Sequence, residues 1–265
     1  VRLKNYEESN GTRQPETETL RQPPVMNDRD LFWRNILRQK EDGLRSLQAG
    51  VNADQILAGE ISSPRTDVRY GVNLVCRPPA RVVRQIASIQ EYLRAAEPGQ
   101  YYYPVSDLHL TLVEFCHSRS AEEAEHIAAR VRPKLNVVLA NAAPPRVDSP
   151  TLVFNSTAVA LNFLPIDTRL QNLRRRIFAE VSDEDFSLNS RYMPISAHIT
   201  LMRYTRPLRT SLNAWMERLE NYGDGQELAW SLKSMWLTWG ANWYGMRSRI
   251  KQVRVRRVSV GAAPT

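Results

Sequence analysis

His109-Leu110-Thr111-Leu112-Val113-Glu114-Phe115 and His198-Ile199-Thr200-Leu201-Met202-Arg203-Tyr204 spell one pattern twice. Each reads histidine, apolar, threonine, leucine, apolar, charged, aromatic. The correspondence extends upstream, where Tyr102-Tyr103-Pro104-Val105-Ser106 matches Tyr192-Met193-Pro194-Ile195-Ser196, with one residue more before the first histidine. Both runs are rich in β-branched, apolar and aromatic residues and end near turn formers, so both are predicted strands. Side chains alternate across a strand, so His and Thr two apart share a face, about 7 Å apart along it. Two such strands meeting in one cleft would present two imidazoles and two hydroxyls to a single small anion, an arrangement suited to phosphate.

Outward from the histidines, the chain repeats more than a motif. Val68–Cys76 reads as a strand, and Val82, Val83, Ile86, Ile89 and Leu93 give the following segment a helical stripe. Ser120 with Glu123 forms a capping box for a helix carrying Ala121, Ala124, Ile127, Ala128 and Val131, which Pro133 is expected to close. Thr151–Phe154 and Thr157–Leu164 read as strands, and Leu170, Leu173, Ile177 and Val181 as a second helical stripe. Pro207 is expected to open a helix bearing Leu208, Leu212, Trp215, Met216 and Leu219. From Ala229 the chain is Trp-rich and alternating, with two or three strands. Asn73 precedes His109 by 36 residues and Asn162 precedes His198 by 36 as well, so a common offset of 89 points to a duplicated unit. Residues 1–26, poor in large apolar side chains, are expected as a flexible arm. Residues 27–66 form a helical extension: one helix from Asp28 to about Gln48, with Leu31, Phe32, Ile36 and Leu37 on one side, then a short one over Ala53–Glu60.

With 42% hydrophobic and 24% charged residues among 265, the chain has the composition of an ordinary globular protein. It has no apolar run long enough to span a membrane and no secretory signal at Val1–Glu8. The absent initiator Met fits a processed or trimmed start, and the expected location is intracellular, cytoplasmic or nuclear. Cys76 and Cys116 are expected as free buried thiols, and Asn10 and Asn155 head sequons of a kind common by chance. A net charge of +8 favours a polyanionic partner. Arg247–Arg257, with six basic residues and no acid, reads as a strand with a basic face, and Arg174-Arg175-Arg176 adds a second cluster.

A single strand histidine is usually a satisfied core residue. Two in the same frame, each with a same-face Thr inside a duplicated unit, reverse that expectation, because polar groups at inward positions cost stability unless something compensates. Zinc is poorly served: Thr is a weak ligand, and neither HExxH nor CxxC is present. The G-x-S-x-G elbow and the glycine-rich phosphate loop are also missing. Paired acid–base chemistry remains. One neutral imidazole takes a proton from the attacking water or hydroxyl, one cationic imidazole gives a proton to the leaving oxygen, and the Thr hydroxyls hold non-bridging oxygens. His117, just past its strand, and His126, on a polar helical face, are weak candidates. Tyr102 and Tyr192 are read as strand starts.

The doubled H-φ-T-φ motif in a two-lobed body resembles the two-histidine (2H) phosphoesterase superfamily, over roughly Val68–Trp239. The resemblance implies an α+β, bilobal fold of two pseudo-symmetric βαβ-type lobes, with antiparallel sheets around a central cleft. The bilobal domain would cover 67–258, its lobes about 67–150 and 151–258, leaving 259–265 as a tail. His109 and His198 would be catalytic, and Thr111 and Thr200 would bind phosphate. No cofactor or metal is implied. The expected activity is metal-independent cleavage of 2',3'-cyclic phosphates or 2'-5' bonds at RNA or oligonucleotide ends. The alternatives are a small cyclic nucleotide phosphodiesterase and a non-catalytic RNA- or nucleotide-binding module. Strict alternation puts Phe115 and Tyr204 on the histidine face, where they would stack a base or else serve as ordinary core aromatics. It puts Arg203 on the opposite face, so that a cleft role for Arg203 requires a bend.

Overall fold

Both histidine stretches become neighbouring strands of one antiparallel sheet. The structure, a computed structural model, describes residues 27–63, 68–140, 142–181, 195–222, 228–240 and 250–255. The expected N-terminal arm, Tyr192, the 259–265 tail and Arg247, Arg249, Arg256 and Arg257 of the basic run lie outside the described residues. The strands are β1 (Tyr70–Cys76), β2 (Tyr101–Tyr102), β3 (Leu110–Arg119), β4 (Arg146–Phe154), β5 (Ala158–Pro165), β6 (His198–Arg203), β7 (Trp230–Ser231), β8 (Met235–Gly240) and β9 (Ile250–Arg254). Their order is β7-β4-β5-β6-β3-β1-β8-β9, with β2 on β6. The helices are α1 (Asp28–Gln48), α2 (Gln55–Ser62), α3 (Ala80–Ala96), α4 (Ala121–Ala140), α5 (Arg169–Val181) and α6 (Leu212–Glu220). This is the expected α+β architecture with antiparallel strands in two halves. The halves meet where β3 and β6 pair at a single register point, Leu110 opposite Ile199.

The histidine strands are held at the seam because their alternate residues are apolar: Leu110, Leu112, Ile199 and Leu201 are fully or almost fully buried. The helix of each βα unit reaches across. Gln90 of α3, the helix after β1, donates to the carbonyls of Tyr103 and Leu201, both at 2.9 Å. Arg174 of α5, the helix after β5, donates to Leu112 O at 2.9 Å and Ser196 O at 2.8 Å. Each half thus contributes a helix that braces the other half's histidine strand.

Three local expectations change. Pro133 does not end α4, which continues to Ala140. Proline in a helix costs about 3 kcal/mol, but Leu135, Val138 and Leu139 beyond it are buried, and each contributes roughly 1.5–3 kcal/mol. Helix α6 starts at Leu212 with Ser211 as its N-cap, not at Pro207. The preceding loop is held instead by the Glu97 carboxylate, which accepts from the backbone N–H groups of Arg209 and Thr210. Burial pushes the Glu97 pKa up, and these bonds more than reverse it, leaving it below the ordinary value. Leu37 faces solvent; α1 buries Phe32, Asn35, Ile36, Gly43 and Leu47 instead. The Ser120–Glu123 capping box is made in both directions. Cys76 and Cys116 are free and buried. Among the described residues, no helix is long and apolar enough to cross a membrane.

Candidate active site

Carrying the Leu110–Ile199 register one residue either way puts His109 opposite Thr200 and Thr111 opposite His198. Opposed residues of an antiparallel pair share a face, so each histidine looks across the seam at the other copy's threonine. Leu110 and Ile199 point the other way into the core, while His109, Thr111, His198 and Thr200 all keep solvent access. One face at the narrowest point of the sheet therefore carries the whole quartet.

Beyond the threonines, alternation breaks in both copies at the same place. Val75 pairs Thr111 and Leu74 pairs Val113, which leaves Leu112 as an extra residue in β3. Ala160 pairs Thr200 and Val159 pairs Met202, which leaves Leu201 as an extra residue in β6. A bulge of this kind shifts the side-chain phase by one residue. Leu112 and Val113 are consequently both buried, as are Leu201 and Met202, and the charged residue that follows comes round to the histidine face. Arg203 thereby lines one cavity with His198 and Thr200. Its Nε donates to Tyr103 Oη at 3.3 Å, and its guanidinium stands 4.0 Å from Asp54. Phe115 and Tyr204 are moved the other way. Both are fully buried, and Tyr204 Oη accepts from Trp215 Nε1 at 2.7 Å. The expectation that they stack a base is corrected: they are core aromatics. The bulged carbonyls, Leu112 O and Leu201 O, are those taken up by Arg174 and Gln90. Buried polar side chains in two helices thus have a job that no helical pattern announces.

The rings are oriented through Nδ1. His109 Nδ1 lies 2.6 Å from the carbonyl of Asp107, which can only accept, so Nδ1 carries the proton and neutral His109 offers its lone pair at Nε2. His198 Nδ1 lies 3.0 Å from the Ser196 hydroxyl, which can donate or accept and so suits either protonation state. Burial within the protein walls pulls the His109 pKa down to about 4, despite the carbonyl, with the Arg77 charge adding to the fall. His198 keeps more solvent access, and its pKa is also pulled down, first by its surroundings, then by Arg174, His109 and Arg203. An arriving phosphate anion would reverse that balance and favour a protonated ring.

Asn162 pairs with His198 across β5 and β6, is fully buried, and accepts from Ala197 N at 3.0 Å. The equal spacing of Asn73 and Asn162 from the two histidines is not a structural equivalence, because Asn73 pairs Glu114. Matched by register, Val75 corresponds to Ala160 and Thr111 to Thr200, so Arg77, next after β1, stands where Asn162 stands in the other copy. A repeat with unequal bulges and loops conceals that correspondence in the sequence.

Other candidates play other parts. Arg174 is buried and structural, and Arg175 bonds Asn172, so the Arg174–Arg176 run is not one phosphate-facing cluster. In the basic tail, Lys251 pairs with Glu125 at 2.7 Å, while Arg254 is exposed. Tyr102 ends the short strand β2 rather than starting one, and its hydroxyl donates to Glu97 O. His126 is exposed on α4, and His117 neighbours Ser118. Among the described residues, no group of three or more His, Cys, Asp or Glu side chains is placed to share a metal ion.

No family model and no curated protein matches the chain. Several solved structures resemble it at low identity. TT0787 of Thermus thermophilus is 16% identical over 70% of this chain and 95% of its own, with a TM-score of 0.47. E. coli LigT complexed with 3'-AMP is 15% identical over 72% and 97%, with a TM-score of 0.45. A structure described as a phosphoesterase is 16% identical over 71% and 96%, with a TM-score of 0.43. The chain's solved neighbours thus include TT0787, a phosphoesterase and E. coli LigT, each similar to it over most of that neighbour's own length.

Proposed function

We propose that this protein is a two-histidine phosphoesterase that cleaves 2',3'-cyclic phosphate or 2'-5' phosphodiester bonds at RNA or oligonucleotide ends without a metal. The observation that carries the reading is the pairing of the two histidine strands at Leu110 and Ile199, a register that, extended by one residue either way, sets His109 against Thr200 and Thr111 against His198. In this reading the phosphate sits over the Leu110–Ile199 pair. The Thr111 and Thr200 hydroxyls donate to its non-bridging oxygens, and Arg203 adds charge from the second copy. His109, with its proton fixed on Nδ1, uses Nε2 as the base toward the attacking water. His198, protonated once the anion is bound, gives its Nε2 proton to the leaving oxygen. The Ser196 hydroxyl follows the change at Nδ1 by switching from donor to acceptor.

The test is product analysis on a nucleoside 2',3'-cyclic phosphate and on a 2'-5'-linked dinucleotide. Turnover of either, with the phosphate left on one defined oxygen and lost in both single histidine variants, supports the reading. Tight binding with no turnover on both would make the protein a nucleotide-binding module instead.

A further inference from the structure

Helix α1 lies outside the duplicated unit, yet it stands at the catalytic face. Gln39 Oε1 accepts from Asn162 Nδ2 at 3.0 Å, and Asn162 is the residue opposite His198. Asn35 donates to Ile195 O at 3.1 Å, just before β6. Gln39, Asp42, Gly43 and Ser46 of α1 form one wall of a cavity of about 410 Å³ whose other residues include His198, Thr200 and Arg203. This volume is that of sites which enclose small organic molecules. The wall is fixed. A Cβ on Gly43 would fall 2.0 Å from Phe154 O, so α1 rests directly on the backbone of β4. Phe32, Ile36 and Leu47 of the same helix are completely buried. The remaining cavity walls, Val153, Phe154, Asn155 and Thr157, close the β4–β5 end.

A cavity with the Arg203 charge and the His198 ring at one end and the mixed polar and apolar residues of α1 at the other matches a phosphate with one nucleoside attached. We infer that α1 is a specificity element. It ends the cleft on the second-copy side, so that a single nucleoside fits between the reacting phosphate and the helix, and a polynucleotide extends only from the first-copy side. Asp42 at that end pairs with Arg45 on the exposed helix face, which takes up the Arg45 charge and leaves a further phosphate little to bind. The inference rests on the reading of His198 and Thr200 as the phosphate end.

The test uses calorimetric titration of the full chain with three probes: inorganic phosphate, a nucleoside 2'-monophosphate and the matching 2',5'-bisphosphate. Asp42 is solvent-exposed, so Asp42→Trp fills the cavity mouth with little effect on folding, which the melting temperature verifies. It should weaken the nucleoside monophosphate by about 10-fold or more, a loss of steric fit, while leaving inorganic phosphate within about two-fold. Asp42→Lys should tighten the bisphosphate relative to the monophosphate, in a salt-dependent manner. His198→Asn and Thr200→Val should weaken all three probes. If neither Asp42 variant moves the nucleotide affinities while the His198 and Thr200 variants do, the nucleoside lies elsewhere and the inference fails alone. If the His198 and Thr200 variants leave phosphate affinity unchanged, the phosphate reading fails, and the inference with it.

Discussion

Replacing Arg174 by Met separates two roles that one buried guanidinium combines. Its Nε and Nη2 groups donate to Leu112 O in β3 and Ser196 O just before β6, at 2.9 and 2.8 Å. Methionine fills the stem's volume but leaves both acceptors without these donors. An unsatisfied buried acceptor costs about 1–3 kcal/mol, so the gross loss is about 2–6 kcal/mol. Part is recovered because the guanidinium no longer has to be desolvated, a burden severe enough to lower its own pKa to about 9. A net loss of about 2–4 kcal/mol is expected, or roughly 5–15 °C in melting temperature for a chain of this size. The charge matters separately, because Arg174 helps hold the His198 pKa down. Without it, the His198 titration followed by proton NMR should move to higher pH. Gln90→Leu provides the control. Gln90 braces Tyr103 O and Leu201 O at 2.9 Å as a neutral amide. Its loss should lower the melting temperature comparably and leave the His198 titration in place. A melting temperature unchanged in Arg174→Met, or equal histidine shifts in the two variants, would refute this account of the seam.

Three further outcomes are expected. His109→Ala and His198→Ala should each lower turnover by roughly 10²–10⁴-fold, a loss in kcat far larger than any loss of nucleotide affinity, measured by steady-state kinetics beside titration; near-native turnover in either would rule out the paired mechanism. Chelation by EDTA should leave the rate unchanged, and a loss restored by zinc or manganese would replace the metal-free scheme with Lewis-acid catalysis. Both histidine pKa values are depressed in the fold, to about 4 for His109, so below about 6.5 the unfolded chain takes up protons that the native cleft resists. Stability should therefore be fully present above that pH and fall as the pH is lowered toward 4; added phosphate should offset part of the fall, and His109→Asn should flatten the profile, all read by thermal melts.

The doubled His-x-Thr pattern was enough to predict two strands and to single out the four polar residues of the quartet, while the α+β body with antiparallel sheets came from the family resemblance that the motif carries. The first two are local matters: side-chain period, propensity and the improbability of polar residues repeating at inward positions. Strict alternation failed at the next step. One extra residue at Leu112 and one at Leu201 exchange the faces of the residues next after them, which brings Arg203 into the cleft and sends Phe115 and Tyr204 into the core. A bulge is a property of the pairing between strands, and neither strand's own sequence records it. The same holds for Gln90 and Arg174, polar residues in helical stripes whose partners lie across the seam. It holds also for α1, whose caps and apolar spacing mark a helix but not its place. Contact between Gly43 and the β4 backbone, and the bond from Gln39 to Asn162, put that helix beside the second histidine. Long-range contacts of this kind are decided only when the chain closes on itself, because the surfaces that meet are more than sixty residues apart in sequence.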